Sequence, residues 1–406
     1  MPAQETPRIG YMLGPHFVRM AGSFGYMKGC FTDYSHGRIP RPHSITGVSS
    51  GGIIGAAVCP FNQKAFQDGE KRLVSLKGSQ FYNHNKDLML WGGIEAFSPL
   101  AIFLPWEMIK SRLWRNAAKG AVVAGMELAE EQFIEHLFSA NGVFSNRRLH
   151  KLLMEFLDFK SIFNSDIKLD VVSANLNGDI EKNLNVAPHV VTNYRPEHKN
   201  NDELLADGIV KSTSIPGFFP TSQNDAGEFI TDGGIYGAYP IEIPYNHGCD
   251  VIVVVELNYA GQRYLRHDYA KWISAIHRAL DITVDNQSAL VISGCRNMNN
   301  DLEQIKKMET IIANLGTIAM DLPKAQKQAI FKQINIFRQE ISRLTAYGKK
   351  FFNLVFVKSR REIVEFNFRE KHLESYMRQS IEIGEEAYFN SRDELQKAIE
   401  RVSKNR

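Results

Sequence analysis

His43-Ser44-Ile45-Thr46 runs straight into Gly47-Val48-Ser49-Ser50-Gly51-Gly52-Ile53-Ile54-Gly55-Ala56-Ala57-Val58. The first part reads as the end of a strand. The small and apolar residues after Ser49 suit a buried helix packed closely on a sheet. Between them lies a G-x-S-x-G pattern, Gly47 to Gly51. A sharp strand-to-helix turn of this kind exposes one hydroxyl, and the register selects Ser49, not its neighbour Ser50. The helix start aims backbone N–H groups and a positive dipole end at that hydroxyl. The competing reading of the same five residues is a plain βα turn or a phosphate-cradling loop.

Working outward, His16 to Met20 is expected to be a strand, with Ala21, Gly22 and Gly25 in a tight loop and a helix over 26–36. Residues 60–160 are expected to be mainly helical. Asn177-Gly178 reads as the turn of a strand–turn–strand unit. Phe229-Ile230-Thr231 is a short strand ending at Asp232-Gly233-Gly234, and Val251 to Glu256 is an apolar strand of the kind buried on both faces in a parallel sheet. Strands alternating with helices argue for an α/β fold. Beyond residue 262, Leu302, Ile305, Met308, Ile312 and Leu315, and then Ile330, Ile334, Phe337, Ile341 and Leu344, recur at helical spacing. Pro323 suits the start of the second helix and Gly348 its end. Phe351 to Val357 is strand-like, and Ser391-x-x-Glu394 reads as a capping box opening the last helix.

A nucleophilic serine needs a base and an oxyanion hole. Of the histidines after Ser49, none sits in a glycine-framed or strand-end context. Asp232 does, although an isolated Asp-Gly-Gly is usually only a turn. A Ser-His-Asp arrangement would draw its base from His247, His267 or His277, which follow Asp232 in the chain.

Taken together, Gly47-Val48-Ser49-Ser50-Gly51 and Asp232-Gly233-Gly234 followed by Pro240-Ile241 resemble the patatin-like phospholipase family. The segment Ser212-Thr213-Ser214-Ile215-Pro216-Gly217-Phe218-Phe219-Pro220, the Asn175–Gly178 turn and the 251–256 strand fall where that family has their counterparts. The resemblance covers roughly residues 14–258. It implies a three-layer α/β/α sandwich with a mainly parallel central sheet, while the apolar helical insertion at about 80–130 and the mainly helical C-terminal region over 259–406 are read from the residues, and the family motifs do not explain the latter. It implies a Ser49–Asp232 dyad acting on acyl esters of lipids, with no metal or organic cofactor. The family's glycine-rich oxyanion loop aligns here with Met20-Ala21-Gly22-Ser23-Phe24-Gly25, which would make Gly22, Ser23 and Phe24 the N–H donors. Two glycines are replaced or displaced there, and Phe24 stands in place of a basic residue. A Cβ narrows such a loop, so a catalytically weak lipid-binding protein on the same fold is the alternative.

Composition sets limits around this reading. The chain has 406 residues, with 48 Lys+Arg against 45 Asp+Glu, and a formal charge of +3. That near-balance leaves no basic nucleic-acid footprint. Cys30, Cys59, Cys249 and Cys295 are too scattered for a zinc site or disulfide framework. The polar N-terminus, MPAQETPRIG, lacks an apolar core and does not read as a signal peptide. Leu88 to Trp106 has the length of a spanning helix but is broken by Gly92-Gly93, Glu95, Pro99 and Pro105. A lid, an interfacial segment or a buried insertion fits it better. The expected location is cytoplasmic or peripheral to a membrane, with Lys349, Lys350, Lys358, Arg360 and Arg361 able to favour anionic lipid. Nothing in the sequence signals an oligomeric state.

Overall fold

The computed structural model describes residues 6–16, 19–76, 83–84, 144–179, 181, 184–216, 219–259, 272–344, 349–361 and 373–404. The apolar Leu88–Trp106 stretch, most of the 80–130 insertion, His267 and Gly348 lie outside them. Among the described residues no helix is long and apolar enough to cross a membrane.

A central eight-stranded sheet carries the fold. Its parallel strands are β1 (Ile9–Leu13), β2 (Pro42–Val48), β3 (Lys168–Asn175), β7 (Val251–Tyr259) and β8 (Asn353–Ser359). They are hydrogen-bonded in the succession β8-β7-β1-β2-β3. On the far edge of β3 lies β4 (Ala187–Thr192), antiparallel, with Asn175 paired to Ala187, so that Asn177-Gly178 opens the longer connection between the two strands. A short antiparallel pair, β5 (Ser222–Gln223) and β6 (Phe229–Thr231), completes the sheet.

The strand interiors are apolar on both faces because helices cover both. Tyr11, Leu13, Ile45, Val171, Val253 and Val255 point into one core. It is covered by α1 (Met20–Ser35), α2 (Ser50–Val58), α3 (Gln63–Ser75), α4 (Arg147–Phe156), α5 (Phe159–Phe163), α6 (Asp202–Ser212) and α10 (Leu373–Lys404). The alternate residues Met12, Val48, Val172, Ile252 and Val254 point into a second core, under α7 (Glu242–Asn246) and the first half of α8 (Trp272–Met320). The result is the expected α/β/α sandwich. The C-terminal region contributes to it directly, since β8 extends the sheet and α10 packs along α1. Further out, α8 and α9 (Lys324–Arg343) form a hairpin closed around Leu302, Ile305 and Ile341, with Pro323 as the N-cap of α9.

Three local expectations are corrected. The first strand is Ile9–Leu13, not His16–Met20. Met20–Gly25 is not a loop but the opening of α1. Its small residues serve a helix–helix contact. A Cβ on Gly25 would collide with the Ile381 carbonyl, one on Gly29 with the Tyr388 ring, and one on Gly384 with the Gly22 carbonyl. Finally, Ser391 opens no helix. It lies inside α10, where its hydroxyl donates to the Tyr388 carbonyl at 3.1 Å.

The α1–α10 contact yields a stability prediction. Gly25→Ala should destabilise the fold by about 1–3 kcal/mol through overpacking, even though Ala is the better helix former. A urea midpoint equal to that of the parent protein would contradict the close approach.

The basic cluster is partly occupied. Arg361 bridges Glu382 and Glu386 of α10 at 3.3 and 3.2 Å, and Lys358 lies 3.7 Å from Glu256.

Candidate active site

Parallel strands β1 and β2 end in register, Leu13 opposite Gly47. Ligand sites in such sheets lie beyond the carboxyl ends of the strands. Here β2 passes through Ser49 into α2. Ser49 has φ 54° and ψ −127°, a left-handed conformation that a residue with a side chain rarely adopts. The strain is tolerated because the surroundings fix the turn. A Cβ on Gly47 would strike the backbone of Gly51 and Gly52, and one on Gly51 would strike the Leu13 carbonyl. Both glycines of the motif are therefore required by packing across the elbow.

The architecture brings Asp232 to the same point. Strand β3 outruns β2. Its residues through Val172 pair with β2, while Ala174 and Asn175 pair with Thr231 and Ile230 of β6. The other edge of Ala174 and Asn175 is taken by β4, so β6 continues along the edge that β2 leaves free. Asp232, the next residue after β6, thus arrives beside the elbow at the end of β2.

There the Ser49 hydroxyl donates to Asp232 Oδ2 at 2.7 Å. The Gly234 N–H donates to Asp232 Oδ1 at 2.8 Å. Ser49 is 4% exposed and Asp232 5%. Burial pushes the Asp232 carboxyl up to about 6, and the hydrogen bonds from Ser49 and Gly234 oppose that rise only in part. The arrangement is a hydroxyl held on a carboxylate whose basicity exceeds that of an ordinary aspartate.

The segment before Asp232 ties the two halves together. The Ser49 N–H donates to the Ser212 hydroxyl at 2.9 Å, and that hydroxyl donates to the Val172 carbonyl at 2.5 Å. Two residues on, the Ser214 carbonyl accepts from the Asp232 N–H at 3.0 Å and from the Thr231 hydroxyl at 2.7 Å. Ser212 and Ser214 thus set the separation of Ser49 and Asp232. The roles of these two serines are not legible in the segment itself, since the partners that reveal them, Ser49, Val172, Thr231 and Asp232, lie outside it.

Gly22, Ser23 and Phe24 lie in the opening turns of α1. The first-turn N–H groups of that helix, Gly22 among them, have no intrahelical acceptor. Phe24 is fully buried, its ring 5.8 Å from that of Phe66. The loop leaving β1 meets the elbow, with the Leu13 and Gly14 carbonyls against Gly51. Gly14 lies against the Tyr239 ring, and Pro15 approaches Gly234. His16 is buried, and its Nε2–H donates to the Val255 carbonyl at 2.7 Å. Desolvation lowers its pKa to about 4, which keeps the ring neutral and pins this loop to the end of β7. The apolar run Ile9–Leu13 followed by Gly14-Pro15 is the sequence signal that locates it.

The histidine alternatives fare differently. His247 Nε2 is held by Asp170 Oδ2 at 2.8 Å, on the incoming half of β3 and opposite Thr46. Only the helical backbone of His277 is described.

The sequence pattern of the Patatin family, described as patatin-like phospholipase, matches residues 17–245, more than half of the chain. The chain belongs to the patatin-like phospholipase family. The match contains Ser49, Asp232 and the Ser212–Ser214 segment, and it stops before α8. A crystal structure of VipD from Legionella pneumophila is similar at 13% identity, with a TM-score of 0.34, over 96% of this chain and 68% of its own. A likeness that slight carries no argument. No curated protein matches the chain. Family membership suggests lipid acyl hydrolysis as the activity class.

Proposed function

We propose that this protein cleaves carboxylic ester bonds of membrane lipids, as a phospholipase A or lysophospholipase, through Ser49 and Asp232. The observation that supports this most is the 2.7 Å hydrogen bond from the Ser49 hydroxyl to a buried carboxylate.

Asp232 takes the hydroxyl proton as Ser49 Oγ attacks the acyl carbonyl. The tetrahedral oxyanion is stabilised by backbone N–H groups, drawn from the Ser50 N–H at the start of α2 and from Gly22, Ser23 and Phe24, which align with the family's oxyanion loop. Collapse of this intermediate breaks the bond to the alcohol oxygen. Protonated Asp232 returns its proton to that oxygen, leaving an acyl-Ser49 ester. Water, deprotonated by Asp232, then attacks the acyl group and frees the fatty acid and Ser49. A carboxylate is a weak base for a hydroxyl, and the upward shift of Asp232 makes the transfer more favourable. Peripheral contact with a bilayer would present the substrate to the open ends of the strands.

The base must be ionised, so the reading predicts an acid limb. The turnover number should be flat at pH 7–8 and fall by about tenfold per pH unit well below pH 6. The decisive screen offers phospholipid, lysophospholipid and neutral glyceride to the purified chain, alongside an active-site-directed fluorophosphonate. Hydrolysis of none of the three, or labelling that survives Ser49→Ala, would refute the proposal.

A further inference from the structure

The Asp232 turn is held from outside the family-matched residues. Gln287, half-buried on α8, places its side-chain oxygen 2.9 Å from the Ala238 N–H, which donates to it. Its amide nitrogen makes a longer contact, 3.4 Å, with the Gly234 carbonyl. The orientation of the amide follows from chemistry. The Ala238 N–H can only donate, so it must face oxygen, and nitrogen then faces the Gly234 carbonyl. Ala238 is fully buried, so its N–H depends on a protein acceptor.

Gln287 also begins a stripe with a period of four along α8: Gln287, Val291, Cys295, Asn299. Val291 and Cys295 pack in the core that contains Tyr239 and Ile241. At the far end Asn299 donates to the Phe352 carbonyl at 2.9 Å and accepts from the Phe352 N–H at 2.8 Å, just before β8. The stretch of α8 from Gln287 to Asn299 is thus fastened at one end to the Asp232 turn and at the other to the edge of the sheet.

We infer that Gln287 is a positioning residue for the ester-cleaving reaction, its amide clamping the Gly233–Ala238 turn from which the Gly234 N–H reaches Asp232. The inference rests on the Ser49–Asp232 reading. Without the clamp the turn relaxes, the Gly234 N–H drifts from Asp232 Oδ1, and the carboxylate loses the donor that aims it. Among the described residues the influences on the Asp232 carboxyl are its burial, the Ser49 hydroxyl and the Gly234 N–H. Loss of the last therefore raises its proton affinity.

The test compares the full chain with Gln287→Met, which keeps the side-chain length and removes both polar atoms, and with Gln287→Glu, which keeps the acceptor for Ala238. Gln287→Met should lower kcat on the order of ten- to a hundredfold, the scale for a misplaced catalytic group, with KM little changed. Its acid limb should move to higher pH, and amide exchange should quicken at 233–238. Gln287→Glu should lose less. A Gln287→Met protein with a lower melting temperature but the parent kcat and acid limb would make Gln287 merely structural and overturn the inference. Unchanged exchange at 233–238 would overturn it as well. If the parent chain cleaves no ester while Gln287→Met still speeds that exchange, the acyl-hydrolase reading falls and the anchoring of the turn stands.

Discussion

Asp232→Asn should leave Ser49 in place and cut kcat by about 10⁴-fold, the scale seen when a carboxylate partner in a serine hydrolase is replaced by its amide. The amide can still accept from the Gly234 N–H, so the turn keeps its shape. It cannot take the proton of Ser49. The same substitution carries a stability signature of opposite sign. Burial raises the folded-state pKa of Asp232 from 3.8 to about 6. The folded protein therefore holds this proton more tightly than the unfolded chain does. Wild-type stability from this group is greatest below pH 4 and is lost as pH rises through 6. An uncharged Asn escapes that loss. Asp232→Asn should thus be more stable than the parent at pH 8, by up to about 3 kcal/mol for a shift of this size, and the gain should vanish near pH 4. Urea unfolding at both pH values, with ester turnover measured alongside, tests the pair of effects. A variant that is active, or whose stability difference does not depend on pH, would contradict the assignment of Asp232 as a buried ionised base.

Ser49→Ala should abolish fluorophosphonate labelling and lower turnover on the order of 10⁴–10⁶-fold. Ser50→Ala should retain both, because its buried hydroxyl lacks a hydrogen-bond partner among the described residues. Ser49→Gly separates chemistry from strain. It removes the proposed nucleophile as completely as Ala does, and it also relieves the positive φ of 54°. It should therefore exceed Ser49→Ala in stability by about 1 kcal/mol or more, the low end for a strained backbone position. Equal stability of the two variants would mean that the elbow stores little strain. Labelling of Ser49→Gly would place the nucleophile elsewhere.

The elements that were legible in the sequence are those whose cause is local. The elbow is written in glycines that a sharp strand-to-helix crossing requires, and the apolar 251–256 run can only be a strand covered on both faces. The helical stripes around Leu302 and Ile334 carry their own period. The misread elements share a different property. Gly22 and Gly25 have the composition of a loop, yet they line the contact with Ile381 and Gly384, more than 350 residues away in the chain. Small residues permit both a turn and the close approach of two helices, and the partner decides which. Ser391 and Glu394 have the spacing of a capping box, but continuous packing of Tyr388, Leu395 and Ala398 carries the helix straight through them.

The sequence alone therefore determined the alternation of strands and helices, the family, and Ser49 and Asp232 as the candidate pair, because each follows from residues adjacent in the chain. Tertiary structure decided how that pair meets. The overhang of β3 leaves an edge on which β6 delivers Asp232. Ser212 and Ser214 hold both halves of the site through side-chain and backbone bonds, and Gln287 reaches the Asp232 turn from a helix beyond the family-matched residues. Those contacts join positions tens to hundreds of residues apart, and no local spacing encodes a distance that only the folded sheet creates.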